Sequence, residues 1–130
     1  MGIFINHTNH PSASWSDEQR QAALAYGEIM DIPFPSIAAD LDEAQVQVMA
    51  EKALGQMLPL EPSAVLVQGE FTYSYALIKL LQEAGITVLA ACSERQTVTT
   101  VNAKHETVRQ SVFSFVQFRS YGMENDGEKS

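Results

Sequence analysis

The chain has 130 residues, a length that fits one compact domain. Hydrophobic residues make up 45% and charged residues 18% of the chain, which excludes a disordered protein, and no apolar run approaches the roughly 20 residues of a membrane span. The formal net charge of -8 argues against binding to long nucleic acid, because such binding depends on many lysine and arginine contacts to phosphates.

The N-terminal residues "MGIFINHTNH" lack the basic stretch and long apolar segment of a secretory signal. Cys92 is the only cysteine, which excludes an internal disulfide framework. These features predict a cytoplasmic protein with no membrane partner. Residues 122–130 carry three acids and one lysine, so we expect a disordered acidic tail after a single domain over residues 1–121.

The first predicted strand is "GIFIN", a short apolar run over residues 2–6. A helix is expected to begin at Ser16, because Gln19 stands at capping-box spacing and two acids occupy the first turn. This helix runs to about Tyr26, and Gly27 ends it.

Two further strand–helix pairs follow. "EIMDIPF" predicts a second strand ended by prolines, and the next helix is expected to begin near Asp40, with Glu43 at the capping-box position. "SAVLVQG" predicts a third strand, whose unbroken apolar run suits a parallel strand buried on both faces. A third helix is expected over residues 71–83, ended by Gly85.

"ITVLAAC" predicts a fourth strand that ends at the polar cluster "SER". After Arg95, "QTVTTVNA" and "ETVRQSVFSFVQFRSY" predict a hairpin with its turn near residues 102–104. The element order predicts an α/β fold: a small Rossmann-like three-layer sandwich with a mostly parallel sheet and a C-terminal β-hairpin. The direction of the last strand stays open, so Arg119 and Tyr121 lie either at the ligand edge or at the opposite edge.

Polar residues follow the strands at the edge where open parallel sheets bind ligands. An arginine and backbone N–H groups at this edge suit a small anionic ligand, with Arg95 as the clamp. The candidate ligand-binding residues at the strand ends are Asn6, Asn9, Gln68, Gly69, Glu70, Thr72, Ser93 and Glu94.

Several of the polar candidates also have a purely structural interpretation. His7 and His10 are three residues apart; either they share a metal, or one packs against a strand end while the other is solvated, and we favour the second interpretation. Asn6 and Asn9 either contact a ligand or only fold a turn. Glu70 and Thr72 either contact a ligand or cap the third helix, and both roles are compatible.

Two further residues carry competing interpretations. Trp15, the only tryptophan, either stacks on a base or packs beside the Ser16 cap, and packing is favoured. Cys92 is either a nucleophile with His7 or His10 as its base, or a small packing residue at a strand end, and packing is favoured again.

The predicted architecture, with its terminal hairpin and the polar loops "NHTNHPSAS", "QGEFTYS" and "CSERQ", resembles the CARF-type ligand domains and stand-alone ring nucleases of CRISPR systems over about residues 2–121. The resemblance implies a homodimer that binds cyclic oligoadenylate without a metal or other cofactor. It implies attack of a ribose 2′-hydroxyl on the adjacent phosphate, with His10, Ser12 and Arg95 as the catalytic residues.

The same resemblance implies phosphate contacts from Ser12, Ser93 and Arg95, and contacts to adenine or ribose from the other polar strand-end residues Asn9, Gln68 and Glu70. No lysine falls in the strand-end loops, so binding without cleavage stays open. Two different functions stay open as well: a small-metabolite hydrolase or transferase using Cys92 or a loop histidine, and a non-catalytic regulatory or assembly protein.

Overall fold

The computed structural model describes residues 2–123, so most of the predicted acidic tail lies outside the described residues. Five strands and three helices alternate along the chain, with short 3-10 turns at Ser12–Ser14 and Leu58–Leu60. In chain order, the elements are β1 Ile3–Thr8, α1 Asp17–Leu24, β2 Glu28–Asp31, α2 Glu43–Met57, β3 Ala64–Gln68, α3 Phe71–Glu83, β4 Val88–Val101 and β5 Thr107–Ser120.

The five strands form one sheet in the order β2-β1-β3-β4-β5. Strands β1 to β4 are parallel, and β5 is antiparallel to β4. The predicted α/β class, mostly parallel sheet and C-terminal hairpin are therefore confirmed. The chain leaves β1 toward β2 and returns past β1 to β3, so the direction of strand addition reverses between β1 and β3. Such a switch point is where sheets of this order place ligands.

Side chains alternate between the two faces along each buried strand, and both faces carry apolar residues. Helices therefore cover both faces of the sheet. Phe4 and Leu66 point to the face covered by α1, where they pack with Trp15. Ile5 and Val65 point to the other face, where α2 and α3 pack against the sheet and against each other. Because parallel strands are joined by right-handed crossovers, the reversal of strand order places α1 alone on its side.

The predicted helix starts differ in accuracy. Ser16 caps α1, its side chain accepting from the backbone N–H of Gln19 at 3.2 Å, as expected. α2 begins near the predicted position, but the predicted capping pair of Asp40 and Glu43 is wrong, because Asp42 is the cap and forms a full capping box with Gln45 at 2.8 and 2.9 Å. The sequence contains the capping-box spacing twice, two residues apart, and only the second pair makes the reciprocal bonds.

The predicted fourth strand and the first hairpin strand are one continuous strand, β4, so the expected strand end at "SER" is wrong. Its pairing with β5 runs from Leu89 opposite Ser120 to Val101 opposite Thr107. No glycine or proline interrupts residues 86–101, and nothing there ends a strand. The change from apolar to polar residues marks where β4 leaves the core.

Beyond the core, the two last strands continue as a projecting pair. Strand β4 pairs with β3 only at Val88 and Leu89. Residues 93–101 and 107–115 then pair with each other alone within the described chain, and we call residues 93–115 the ribbon. The sheet curls into a half-barrel, a feature that the predicted Rossmann-like three-layer sandwich does not include. The register shift between Cys92 and Ser93 bends the pair at the base of the ribbon.

The antiparallel direction of β5 settles the position of its last residues. Arg119 lies opposite Ala90, and the backbone N–H of Tyr121 donates to Val88, near the start of β4. The Tyr121 hydroxyl donates to the backbone carbonyl of Val67 at 2.6 Å, and burial raises the pKa of this phenol. Arg119 and Tyr121 therefore lie on the face of the sheet opposite the cleft-side residues Ala91 and Phe118, with Tyr121 packed on the α2–α3 side.

The three helices of the described residues are too short or too polar to cross a membrane.

Candidate functional site

A cleft of about 930 Å³ opens at the carboxyl ends of β1 and β3, between α1 and the base of the ribbon. It lies at the switch point of the sheet, where the fold itself leaves room for a ligand. Leu66 and Ala91 form its apolar floor. The remaining lining residues are Thr8, Asn9, His10, Ser14, Trp15, Ser16, Glu18, Gln19, Gln68, Gly69, Ser93, Phe113, Ser114 and Phe115.

Gln68 joins β3 to β4 at the point where the two strands separate. Its side-chain carbonyl accepts from the backbone N–H of Ala91 at 2.8 Å, and its NH₂ group donates to the Ala91 carbonyl at 3.4 Å. The amide thus replaces the backbone partner that β4 loses beyond Leu89. One donor hydrogen and one acceptor lone pair of Gln68 remain for a ligand in the cleft.

The loop between β1 and α1 folds around the backbone carbonyl of His10. This oxygen accepts from Asn6 Nδ2 at 3.0 Å and from Trp15 Nε1 at 3.2 Å, and the His10 N–H donates to the Thr8 hydroxyl at 3.1 Å. Asn6 is buried and also donates to Asp31 at 3.0 Å, so its amide positions the loop. The exposed side chains of Asn9 and His10 then project into the cleft.

His7 has the packing role that the sequence favoured over a metal ligand. It is buried at the end of β1, with Nδ1 at 2.8 Å from the carbonyl of Ile32 and Nε2 at 2.8 Å from the Tyr73 hydroxyl. A carbonyl only accepts, so neutral His7 donates from Nδ1 and accepts at Nε2. Burial lowers the pKa of His7 and raises that of Tyr73 to about 12.

The two histidines lie on different sides of the sheet. His7 faces α3 and the ring of Phe34, while His10 is exposed at the cleft. Within residues 2–123, the His, Cys, Asp and Glu side chains form no group of three or more that could hold a metal ion.

The segment "QGEFT" has a structural role at the start of α3. Glu70 caps the helix, accepting from the N–H of Tyr73 at 2.8 Å and from the Thr72 hydroxyl at 2.8 Å. These hydrogen bonds lower the pKa of Glu70. The Phe34 ring packs on Gly69 so closely that an added Cβ would lie 2.3 Å from it. Because the Glu70 carboxylate already occupies the helix N-terminus, an anionic group there would meet a like charge.

The cluster "SER" lies within β4, so its predicted place in a strand-end loop is wrong. Ser93 lines the cleft, whereas Glu94 points to the opposite face of the ribbon, as strand alternation requires. Arg95 lies two residues further along the cleft-side face. Its guanidinium carbon is 5.5 Å from the ring centroid of Phe113, which itself lines the cleft.

The predicted site residues therefore divide into two groups. Five of them line the cleft: Asn9, His10, Gln68, Gly69 and Ser93. The other six lie outside its lining: Asn6, Ser12, Glu70, Thr72, Glu94 and Arg95. Ser12 lies in the 3-10 turn, where its N–H donates to Asp31 at 3.1 Å.

Sequence reasoning missed the aromatic wall of the cleft. Phe113 and Phe115 stand two residues apart in β5, and the spacing in "SVFSFV" was the available signal that they share a face. Trp15 is buried against Phe4 with a ring-centroid distance of 6.1 Å, so the favoured packing role is confirmed. One side of the same indole still lines the cleft.

Cys92 lies between two residues that line the cleft, Ala91 and Ser93. Alternation along β4 directs its side chain to the opposite face, and its thiol interacts with Tyr121 on that side. The half-buried thiol is therefore separated by the sheet from His10 in the cleft.

The cleft lining is polar and aromatic with little charge. Glu18 is its one carboxylate among the described residues, and the lysine and arginine side chains of the described chain lie outside it. Arg95 lies on the ribbon side of the cleft, held beside Phe113. Such a lining can form hydrogen bonds and stack on planar groups.

The structure is a small mixed α/β domain with a cleft at the switch point of a mostly parallel sheet. Residues 2–119 match the family model described as the Uncharacterized protein MJ1673 family, and the chain belongs to that family. A comparison with curated proteins found no match.

Proposed function

We propose that this protein is a Rossmann-like domain that binds a nucleotide-type ligand in the strand-end cleft. The observation that carries this proposal is the combination of aromatic rings with amide side chains at the switch point. Phe113 and Phe115 offer ring surfaces for a base beside the largely buried Trp15, while Asn9 and Gln68 offer the donor and acceptor pairs that a base edge needs.

Size and energetics support this class of ligand. A volume of about 930 Å³ is near the upper end of the range for small-molecule sites and accommodates more than one nucleoside unit. Stacking of a base on an aromatic side chain contributes about 1–3 kcal/mol. The proposal needs no basic residue inside the cleft, since the base lies in the cleft and the phosphate at the rim beside Arg95.

The resemblance to CRISPR-associated ring nucleases makes cyclic oligoadenylate the first ligand to try, and it alone supports a role in antiviral signalling. We propose binding as the primary activity. Metal-independent cleavage is the finer proposal, in which the ribose 2′-hydroxyl attacks the adjacent phosphate with His10 as general acid or base. Arg95 would stabilise the developing charge, and Ser93 is better placed than Ser12 to contact the phosphate.

Calorimetric titration with adenosine, AMP and cyclic tetra- and hexa-adenylate tests the proposal, and chromatography of each mixture detects cleavage. We expect at least one of these compounds to bind and the His10→Ala variant to bind more weakly. His105→Ala is the matched control, because His105 lies in the ribbon turn outside the cleft. Saturation without new products would identify a binding protein; absence of binding by every compound would overturn the proposal.

The alternative function, a hydrolase or transferase with Cys92 as nucleophile, has less support, because the cleft and the Cys92 side chain lie on opposite faces of β4. A regulatory or assembly role is compatible with ligand binding. We propose a cytoplasmic location, because a reducing compartment keeps the single half-buried thiol free.

A further inference from the structure

The ribbon is exposed on both faces along most of its length. Val101 is 66% exposed, Phe113 68% and Val112 43%. A two-stranded hairpin without a third strand or a packing layer is marginally stable in water. This ribbon has nine residues in each arm, and outside its base it has neither form of support within the described chain. A two-stranded ribbon of this length with exposed valine and phenylalanine side chains therefore calls for a partner surface.

One face of the ribbon is basic. Alternation along the two arms places Arg95, Arg109, Phe113 and Phe115 on the cleft-side face, and the arms contribute no carboxylate to it. Glu94 lies on the opposite face, and Glu106 belongs to the turn, where it accepts from Asn102. A partner for the cleft-side face is therefore expected to be acidic.

The body of the same protein offers such a surface. Residues 1–92 carry 11 acidic and 3 basic side chains, a formal charge of -8. Each helix follows a parallel strand and runs back along it, so all three helix N-termini lie at the strand-end edge. The acids at these N-termini are Asp17, Glu18, Asp42, Glu43 and Glu70. We call this surface the acidic edge.

We propose that the ribbon docks on the acidic edge of a second copy of this chain. Within its own chain, the ribbon leads away from the sheet: Thr99, opposite Arg109, lies ten residues beyond Leu89, about 33 Å along an extended strand. Among residues 2–123, the acidic edge therefore meets the outer ribbon only when a second molecule supplies that edge. The charge difference between ribbon and body favours a second copy over an acidic partner of another kind.

A two-fold axis closes this assembly. Each copy has one ribbon and one acidic edge, so reciprocal docking satisfies both ribbons and leaves no open end. Docking also brings Arg95 or Arg109 close to the partner's cleft, whose lining has no arginine or lysine among the described residues. Only this consequence for the cleft rests on the proposed function; the docking itself does not.

Sedimentation velocity of the full chain without any ligand tests the docking. We expect a species of twice the 14.3 kDa monomer mass at about 0.1 M salt and dissociation toward 1 M salt, where charges are screened within about 3 Å. The Arg95→Glu/Arg109→Glu variant is expected to raise the dimer Kd at least tenfold. The matched control is Lys52→Glu/Lys79→Glu, with the same charge change on the body, which leaves dimerisation at least as strong.

A charge swap separates docking from misfolding. In Asp17→Lys/Glu43→Lys, the acidic edge is made basic while the ribbon is kept. Alone, this variant and the ribbon variant are expected to be folded monomers by circular dichroism; mixed, they are expected to form a heterodimer because both contacts are then complementary. Hydrogen exchange of residues 96–112 should slow as protein concentration rises through the Kd. A monomer at all concentrations, or a dimer that both double variants leave intact, would overturn the proposal.

Discussion

The side-chain amide of Gln68 brackets the backbone of Ala91, accepting from its N–H at 2.8 Å and donating to its carbonyl at 3.4 Å. This pair lies where β3 ends and β4 continues alone. It holds the two strands at the separation that forms the cleft floor, and it anchors the base of the ribbon. One glutamine side chain therefore connects the candidate ligand site to the projecting hairpin.

Replacing Gln68 by leucine removes both hydrogen bonds and leaves the partly buried Ala91 backbone unpaired. An unsatisfied backbone group costs about 1–3 kcal/mol, so we expect the free energy of unfolding to fall by that amount in urea titration. Hydrogen exchange should rise at Ala91 and at the base of the ribbon. Gln47→Leu is the control, since Gln47 is exposed on α2, where its side chain bonds to Glu51 one turn along the same helix. An equal loss of stability in both variants would contradict the role of the two hydrogen bonds between Gln68 and Ala91.

The buried His7 predicts an acid-sensitive stability. Its pKa is lowered in the folded state, so below pH 6.5 the unfolded chain binds more protons than the folded chain. Stability is therefore full above pH 6.5 and falls as pH drops through the folded pKa of His7. Melting temperatures between pH 8 and pH 5 should show this decline. His7→Gln should reduce the slope, while His105→Gln in the exposed turn should retain it.

Two glycine-to-alanine changes should have opposite signs. At Gly69, an added Cβ would meet the Phe34 ring at 2.3 Å, so Gly69→Ala is expected to destabilise by about 1–3 kcal/mol through overpacking. At Gly55, inside α2, the Cβ has open space, and Gly55→Ala should stabilise by about 0.5–1 kcal/mol. Chemical denaturation measures both changes. Adding Phe34→Leu to Gly69→Ala should recover part of the loss; no recovery would show that the ring is not the cause.

Trp15 connects loop geometry with ligand binding. Trp15→Phe retains an aromatic ring on the cleft but removes the hydrogen bond from Nε1 to the His10 carbonyl. We expect a loss of stability of about 0.5–1.5 kcal/mol and weaker nucleotide binding, because Asn9 and His10 lose part of their support. Tyr26→Phe also alters an aromatic side chain beside Phe4 and serves as a control that leaves nucleotide affinity unchanged.

The sequence predicted the parallel sheet and its helices because these elements carry local patterns. Ser16 with Gln19 marks a helix start, and the apolar run of β3 marks a buried strand. The same local patterns did not predict that β4 continues without a break from Val88 to Val101. A polar stretch such as "SERQT" fits a strand-end loop and a solvent-exposed ribbon equally well, and only the pairing partner distinguishes them.

The site was predicted in part for a similar reason. The predicted strand ends indicate which residues lie at the ligand edge, and Asn9, His10 and Gln68 were correctly placed at the cleft in this way. Strand ends do not show which polar side chains already form hydrogen bonds within the protein. Glu70, for example, accepts from the backbone N–H of Tyr73 at the start of α3. The aromatic wall depends on the curl of the sheet, which brings Phe113 over the cleft from a segment about 100 residues after the first loop.

The indole resonance of Trp15 gives the most direct test of nucleotide binding in the cleft. Trp15 is the only tryptophan, so its Nε1–H gives a single assigned peak in a two-dimensional ¹H–¹⁵N spectrum. Titration with AMP and with cyclic tetra- and hexa-adenylate should move this peak in a saturable manner, together with the backbone amides of Asn9, Gly69 and Ser93. A Trp15 peak and cleft amides that stay in place at millimolar concentrations of all three ligands would contradict the proposed function.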